Sequence, residues 1–128
     1  MLSQDVSAWV KDKIGIYKLT KLNGDASFRQ YFRCQAATNF ILSYESTQNN
    51  QVEQSVQRFK ALQKNNIPTP KVHFYCKNLG VTLQEDLGNS TLWDIRNTEI
   101  FMHWAGKSIK YIHKIINSKI DALDVLAL

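Results

Sequence analysis

The stretch Asn23-Gly24-Asp25-Ala26-Ser27 constrains this chain more than any other, because a tight turn there commits the segments on either side to antiparallel pairing. Gly24 supplies a positive φ that other residues resist, and Asp25 and Ser27 favour local backbone turns. In the strand predicted beyond it, Phe28, Gln30, Phe32 and Cys34 fall on one face, and Arg29, Tyr31 and Arg33 on the other. A small-residue turn between strands leaves backbone N–H groups open to an anion. Two guanidinium groups on one strand face suit bidentate phosphate binding. An ordinary hairpin with solvated arginines carries the same signature, so the rest of the chain has to separate the two readings.

Taken in order, Ser3 caps a predicted helix with Val6, Trp9, Val10 and Ile14 on one face and Gly15 as its stop. Extended segments are expected at 16–22, 27–35 and 39–46, the third central because Phe40-Ile41-Leu42 opens it as an apolar run. Val52, Val56, Phe59 and Leu62 predict a helix up to Lys64, ended by Asn65-Asn66. Pro68-Thr69-Pro70 then imposes an extended linker. Two more strands, 71–76 and 80–85, are joined by a turn at 77–80. Ser90 or Thr91 is expected to cap a short helix through Arg96. Thr98 is expected to cap a longer one that buries Ile100, Trp104, Tyr111, Ile112 and Ile115. The expected class is α+β, a five-stranded antiparallel sheet with one helix packed across it. Residues 1–88 form the sheet domain in this reading and 89–128 the helices that follow. Those helices have more apolar surface than the sheet can cover.

A length of 128 residues suits a modest core, and 44% apolar with 21% charged residues is an ordinary globular balance. The net charge of +5 favours polyanionic partners, yet the lysines are scattered and form no tract. No apolar run approaches the roughly 20 residues needed to cross a bilayer, and the first fifteen residues do not resemble a signal peptide. Cys34 and Cys76 lie far apart, with neither disulfide-framework nor metal-ligand spacing. They read as free thiols in a reducing compartment, and the expected location is cytoplasmic, with no membrane partner. His73, His103 and His113 read as structural or surface residues, and Asp86 and Asp94 as turn or cap residues.

Three strings, Gly24-Asp25-Ala26-Ser27-Phe28-Arg29-Gln30-Tyr31-Phe32-Arg33, Asn66-Ile67-Pro68-Thr69-Pro70 and Val81-Thr82-Leu83-Gln84-Glu85-Asp86-Leu87-Gly88, occur in this element order. Together they resemble the N-terminal lobe of the aminoglycoside phosphotransferase and choline kinase-like superfamily. The nearest likeness is to the bacterial N-acetylmuramate/N-acetylglucosamine anomeric kinases. The first string is the specific one, and the resemblance spans the chain while covering only the first part of a family member. It implies a protein-kinase-like N-lobe that binds ATP, followed by the first helices of an incomplete C-lobe. Gly24, Asp25, Ala26 and Ser27 would cover the nucleotide phosphates, and backbone groups of Glu85, Asp86 and Leu87 would meet the adenine. Glu53 would orient a phosphate-binding cation.

The sequence departs from that pattern in two places. Kinases carry a lysine on the third strand to hold phosphates, whereas Phe40-Ile41-Leu42-Ser43-Tyr44-Glu45 has none, so Arg29 or Arg33 is expected to substitute. No His-x-Asp catalytic segment follows Gly88, nor the later metal-binding residues that would hold Mg²⁺ in a complete family member. The resemblance therefore implies a nucleotide-binding lobe without phosphoryl transfer of its own, with no catalytic or metal residue assigned. Two further readings stand beside it. One is a non-catalytic binding module that pairs through 98–128 with a separate C-terminal lobe or a second copy. The other is a single-strand nucleic-acid surface built on Arg29, Tyr31 and Arg33, which the dispersal of basic residues disfavours.

Overall fold

Helix α1 (Gln4–Ile14) begins and ends where local chemistry dictates. The Ser3 hydroxyl accepts the Val6 N–H at 3.3 Å, and Gly15, at φ 78°, donates its N–H to the Lys11 carbonyl. Asp5 in the first turn and Lys11 and Lys13 in the last complement the helix dipole. The computed structural model describes residues 2–22, 29–46 and 50–117. Within them follow β1 (Lys18–Lys21), β2 (Gln30–Gln35), β3 (Phe40–Tyr44), α2 (Val52–Lys64), β4 (Val72–Cys76), β5 (Val81–Glu85) and α3 (Phe101–Asn117). The architecture is α+β, with a five-stranded antiparallel sheet and three helices among the described residues.

The strands lie in the order β1-β2-β3-β5-β4, so β3 is central as its apolar opening predicted. Register follows from burial. Phe32, Leu42 and Leu83 line up across three strands, as do Cys34, Phe40 and Glu85. This face packs on Val6 and Val10 of α1, forming a core with Phe32, Cys34, Leu42, Val81 and Leu83. Burying each aliphatic side chain there contributes about 2 kcal/mol. A one-residue slip of β2 would turn Phe32 and Cys34 outward and bring Arg33 inward, which fixes the register. The opposite face carries Arg33, Ile41 and Gln84 in one row, and Tyr31, Ser43 and Thr82 in the next.

The chain divides into two compact units, 1–56 with 70–86, and 57–69 with 87–128. In the second unit α2 ends at Lys64, and the φ of 58° at Asn66 lets the Ile67 N–H reach the Leu62 carbonyl at 3.0 Å. Leu62 and Ile67 form a small core there, with Phe59, Tyr111 and Ile115 against it. Two expectations fail in this unit. The short helix through Arg96 is instead a succession of turns. Arg96 Nη1 donates to the Trp93 carbonyl and the Thr98 hydroxyl to that of Ile95, both at 2.7 Å, and the N–H groups of the same residues reach the same carbonyls, closing tight turns three residues long. Thr98 is therefore committed backwards, and α3 starts at Phe101. On α3, Tyr111 and Ile115 pack as expected, but Trp104 and Ile112, and Ile100 just before the helix, are 47%, 56% and 53% exposed. The small core of this unit offers too little apolar surface to cover them.

Candidate functional site

Strand β2 presents Tyr31 and Arg33 on the face away from α1, and Arg29 precedes its first residue. Arg33 reaches across β3 to the chain leaving β5. Its Nε donates to Asp86 Oδ2 at 2.7 Å and its Nη2 to Oδ1 at 3.1 Å, a fork matched to a carboxylate. The side chains are 15% and 9% exposed. The hydrogen bonds to Asp86, then its negative charge, hold the Arg33 guanidinium above its ordinary range, against burial acting the other way. This pair ties β2 to the segment after β5.

Arg29 lies four residues earlier, roughly 13 Å away along the strand. Its Nη2 donates to the Ser55 hydroxyl at 3.3 Å and to Glu45 Oε2 at 3.5 Å, longer contacts than those of Arg33. Glu45 Oε2 also accepts the Gln51 N–H at 3.4 Å, which places the carboxylate beside the start of α2. Asn50 anchors that start. Its Oδ1 accepts from the Val52 N–H, and its Nδ2 donates to the Lys77 carbonyl at 2.9 Å. Glu45 is itself positioned by its N–H, which donates to the Gly80 carbonyl at 2.8 Å. Between the two arginines the face is closed by a buried hydrogen bond between the hydroxyls of Ser43 and Thr82.

The expected site residues distribute as follows. Gly24, Asp25, Ala26 and Ser27 lie outside the described residues. Arg29, Arg33, Glu85 and Asp86 belong to the first unit, and Leu87, 68% exposed, to the second. The Glu85 N–H donates to the Lys71 carbonyl at 2.8 Å, so it is committed to the sheet edge. Glu53 faces Lys77, with Nζ to Oε2 at 3.2 Å and both side chains more than half exposed. The carboxylate on Arg29 is that of Glu45, which sequence reasoning passed over. The available signal was alternation: Glu45 continues the Ile41, Ser43 face of β3, the same face that carries Arg33. Ser55 had no signal beyond its place on α2.

In chemical terms the face holds two oriented cations at opposite ends of a strand, each presented by a carboxylate. A cavity of about 420 Å³ in the second unit is lined by Ser90, Thr91, Leu92, Ile95, Ile100, Trp104 and Ser108, without an ionisable side chain. It lacks the charge that a nucleotide requires. Among the described residues no group of three or more His, Cys, Asp or Glu gathers to hold a metal ion, and no helix is long and apolar enough to cross a membrane. The chain matches no protein-family model and no curated protein sequence.

Proposed function

We propose that this chain is the ATP-gripping lobe of a small-molecule phosphotransferase of the aminoglycoside phosphotransferase and choline kinase-like kind. The 24–33 string points to an amino sugar as acceptor. The observation that carries the proposal is the placement of Arg29 and Arg33 on one sheet face, with Arg33 clamped to Asp86 in the hinge-like string. The base belongs at the Glu85–Asp86 end and the phosphates at the Arg29 end, since the span between the arginines suits an extended nucleotide. With the Glu85 N–H committed to Lys71, the hydrogen bonds to the base fall to the backbone of Asp86.

The two arginines divide the work. Arg33 fastens the hinge segment, and its tight fork makes it a poor phosphate ligand. Arg29 takes the part of the absent third-strand lysine. Glu45 and Ser55 orient its guanidinium, and an arriving phosphate competes with Glu45 for it while Glu45 retains the Gln51 N–H. ATP brings the transferable phosphoryl group, and these residues bind and orient it. No His-x-Asp segment occurs in the sequence, so the role assigned is nucleotide grip, not the chemical step. The single-strand nucleic-acid reading loses support because Arg29 and Arg33 are both engaged by carboxylates.

Calorimetric titration with ATP and with adenosine tests the reading. ATP should bind more tightly than adenosine, and Arg29→Met should weaken ATP by about tenfold or more while leaving adenosine unchanged. Equal ATP affinity in Arg29→Met and wild type would remove Arg29 from the site, and absence of ATP binding would remove the site.

A further inference from the structure

Both ends of the connection between β3 and α2 are fastened to one turn. Where β3 ends, the Glu45 N–H donates to the Gly80 carbonyl at 2.8 Å. Where α2 begins, Asn50 Nδ2 donates to the Lys77 carbonyl at 2.9 Å. The turn at 77–80 is itself closed, with the Gly80 N–H on that same Lys77 carbonyl at 3.1 Å. Strand pairing brings these groups together: Tyr44 opposes Val81 and Val81 opposes Cys76, so the end of β3 lies beside the turn that joins β4 to β5.

The Asn50 side chain makes two bonds in opposite senses. Its Oδ1 accepts the Val52 N–H at 3.4 Å, a turn within its own segment, while its Nδ2 crosses to the 77–80 turn. An asparagine amide offers an acceptor and a donor together within that short reach. Aspartate has no donor, serine is too short to meet both partners, and glutamine is a methylene too long for the local turn. Next along the chain, the Gln51 N–H meets Glu45 Oε2 at 3.4 Å. That oxygen and the Ser55 hydroxyl accept from Arg29 Nη2 at 3.5 and 3.3 Å. The neck of the connection is thus also the mount of the guanidinium. Contacts of this length lie near the limit of a hydrogen bond, so a shift of a few tenths of an ångström at the start of α2 is enough to break them. All of these residues belong to the first unit.

We propose that Asn50 is a positioning residue for the phosphates of the nucleotide, a role that rests on the reading of Arg29 as their ligand. By fixing the start of α2 to the 77–80 turn, it holds the Gln51 N–H and Ser55 where Glu45 and Arg29 meet them, and so aims the guanidinium. Asn50 acts through Arg29 alone and leaves the Glu85–Asp86 end, where the base belongs, unchanged.

Calorimetric titration of the full chain with ATP and with adenosine tests this role. Asn50→Ala and Asn50→Ser, the second keeping a hydroxyl for the Val52 N–H, should each weaken ATP by about threefold to tenfold and leave adenosine unchanged. Adding Asn50→Ser to Arg29→Met should cost no further ATP affinity, because the group being aimed is gone. Urea unfolding of the same variants separates aim from stability. A lowered midpoint with ATP affinity as in wild type makes Asn50 purely structural and overturns the proposal. So does an equal loss for adenosine, or a loss for ATP that adds in full to that of Arg29→Met. Where wild type binds ATP and Arg29→Met weakens it while Asn50→Ser does not, the role of Asn50 falls alone. Where wild type binds no ATP, the phosphate site falls and this role with it.

Discussion

Gly80 joins the stability of the sheet to the geometry of the candidate site, and replacing it with alanine tests both. Its φ is +69°, and an added Cβ would collide with the Glu45 carbonyl oxygen and come within 3.0 Å of the carbonyl carbon. The left-handed backbone costs a residue with a Cβ about 1–2 kcal/mol. Displacing the Glu45 peptide also breaks the 2.8 Å bond from its N–H to the Gly80 carbonyl, worth about 1 kcal/mol. With residual strain the total is about 2–4 kcal/mol. Urea unfolding read from Trp9 fluorescence, with Trp93 and Trp104 changed to Phe, follows the first unit, because Trp9 packs against its core. Gly80→Ala should be less stable than wild type by roughly 2–4 kcal/mol. It should also weaken ATP binding, because Glu45 orients Arg29. A loss of about 1 kcal/mol or less would refute the collision argument.

Further outcomes follow from the same contacts. Removing either hydroxyl of the buried Ser43–Thr82 pair strands the other, so Ser43→Ala or Thr82→Val should each cost about 1–3 kcal/mol in the urea assay. The double variant should cost less than the sum, because no orphaned hydroxyl remains. Burial pushes the Cys34 thiol up from 9.0 to about 11, so at pH 8 an alkylating reagent should modify Cys76 well before Cys34, as peptide mass mapping would show. The same shift fixes a sign for stability. The contribution is complete below pH 9, where the thiol is neutral folded or unfolded, and is lost as pH rises towards 11 and the unfolded chain ionises first. Chemical denaturation of Cys34→Ala against wild type from pH 7 to 11 reads that slope, which the variant should lack.

The parts of the fold that were legible in the sequence are those set by neighbours in the chain. Ser3 and Gly15 bounded α1, the asparagines after Lys64 ended α2, and the apolar opening of β3 placed it at the centre of the sheet. The misreadings came where side chains compete with backbone or where distant surface decides burial. Arg96 and Thr98 donate from both backbone and side chain to the carbonyls three residues back, which holds their segment in tight turns, and the described residues of its unit leave much of the apolar surface of α3 exposed. At the site, alternation put Arg29 and Arg33 on one face, but their partners Glu45, Ser55 and Asp86 lie 16, 26 and 53 residues away. Such separations leave no periodic trace. The collision at Gly80 is likewise invisible until β3 and β5 are brought together.

The most direct measurement of the central claim is a backbone amide NMR titration of the full chain with ATP. The account predicts shifts at Arg29, Glu45, Gln51 and Ser55 and at Asp86, with adenosine alone reproducing only the last. No shifts at those residues, or shifts confined to the cavity between Ser90 and Ser108, would contradict it.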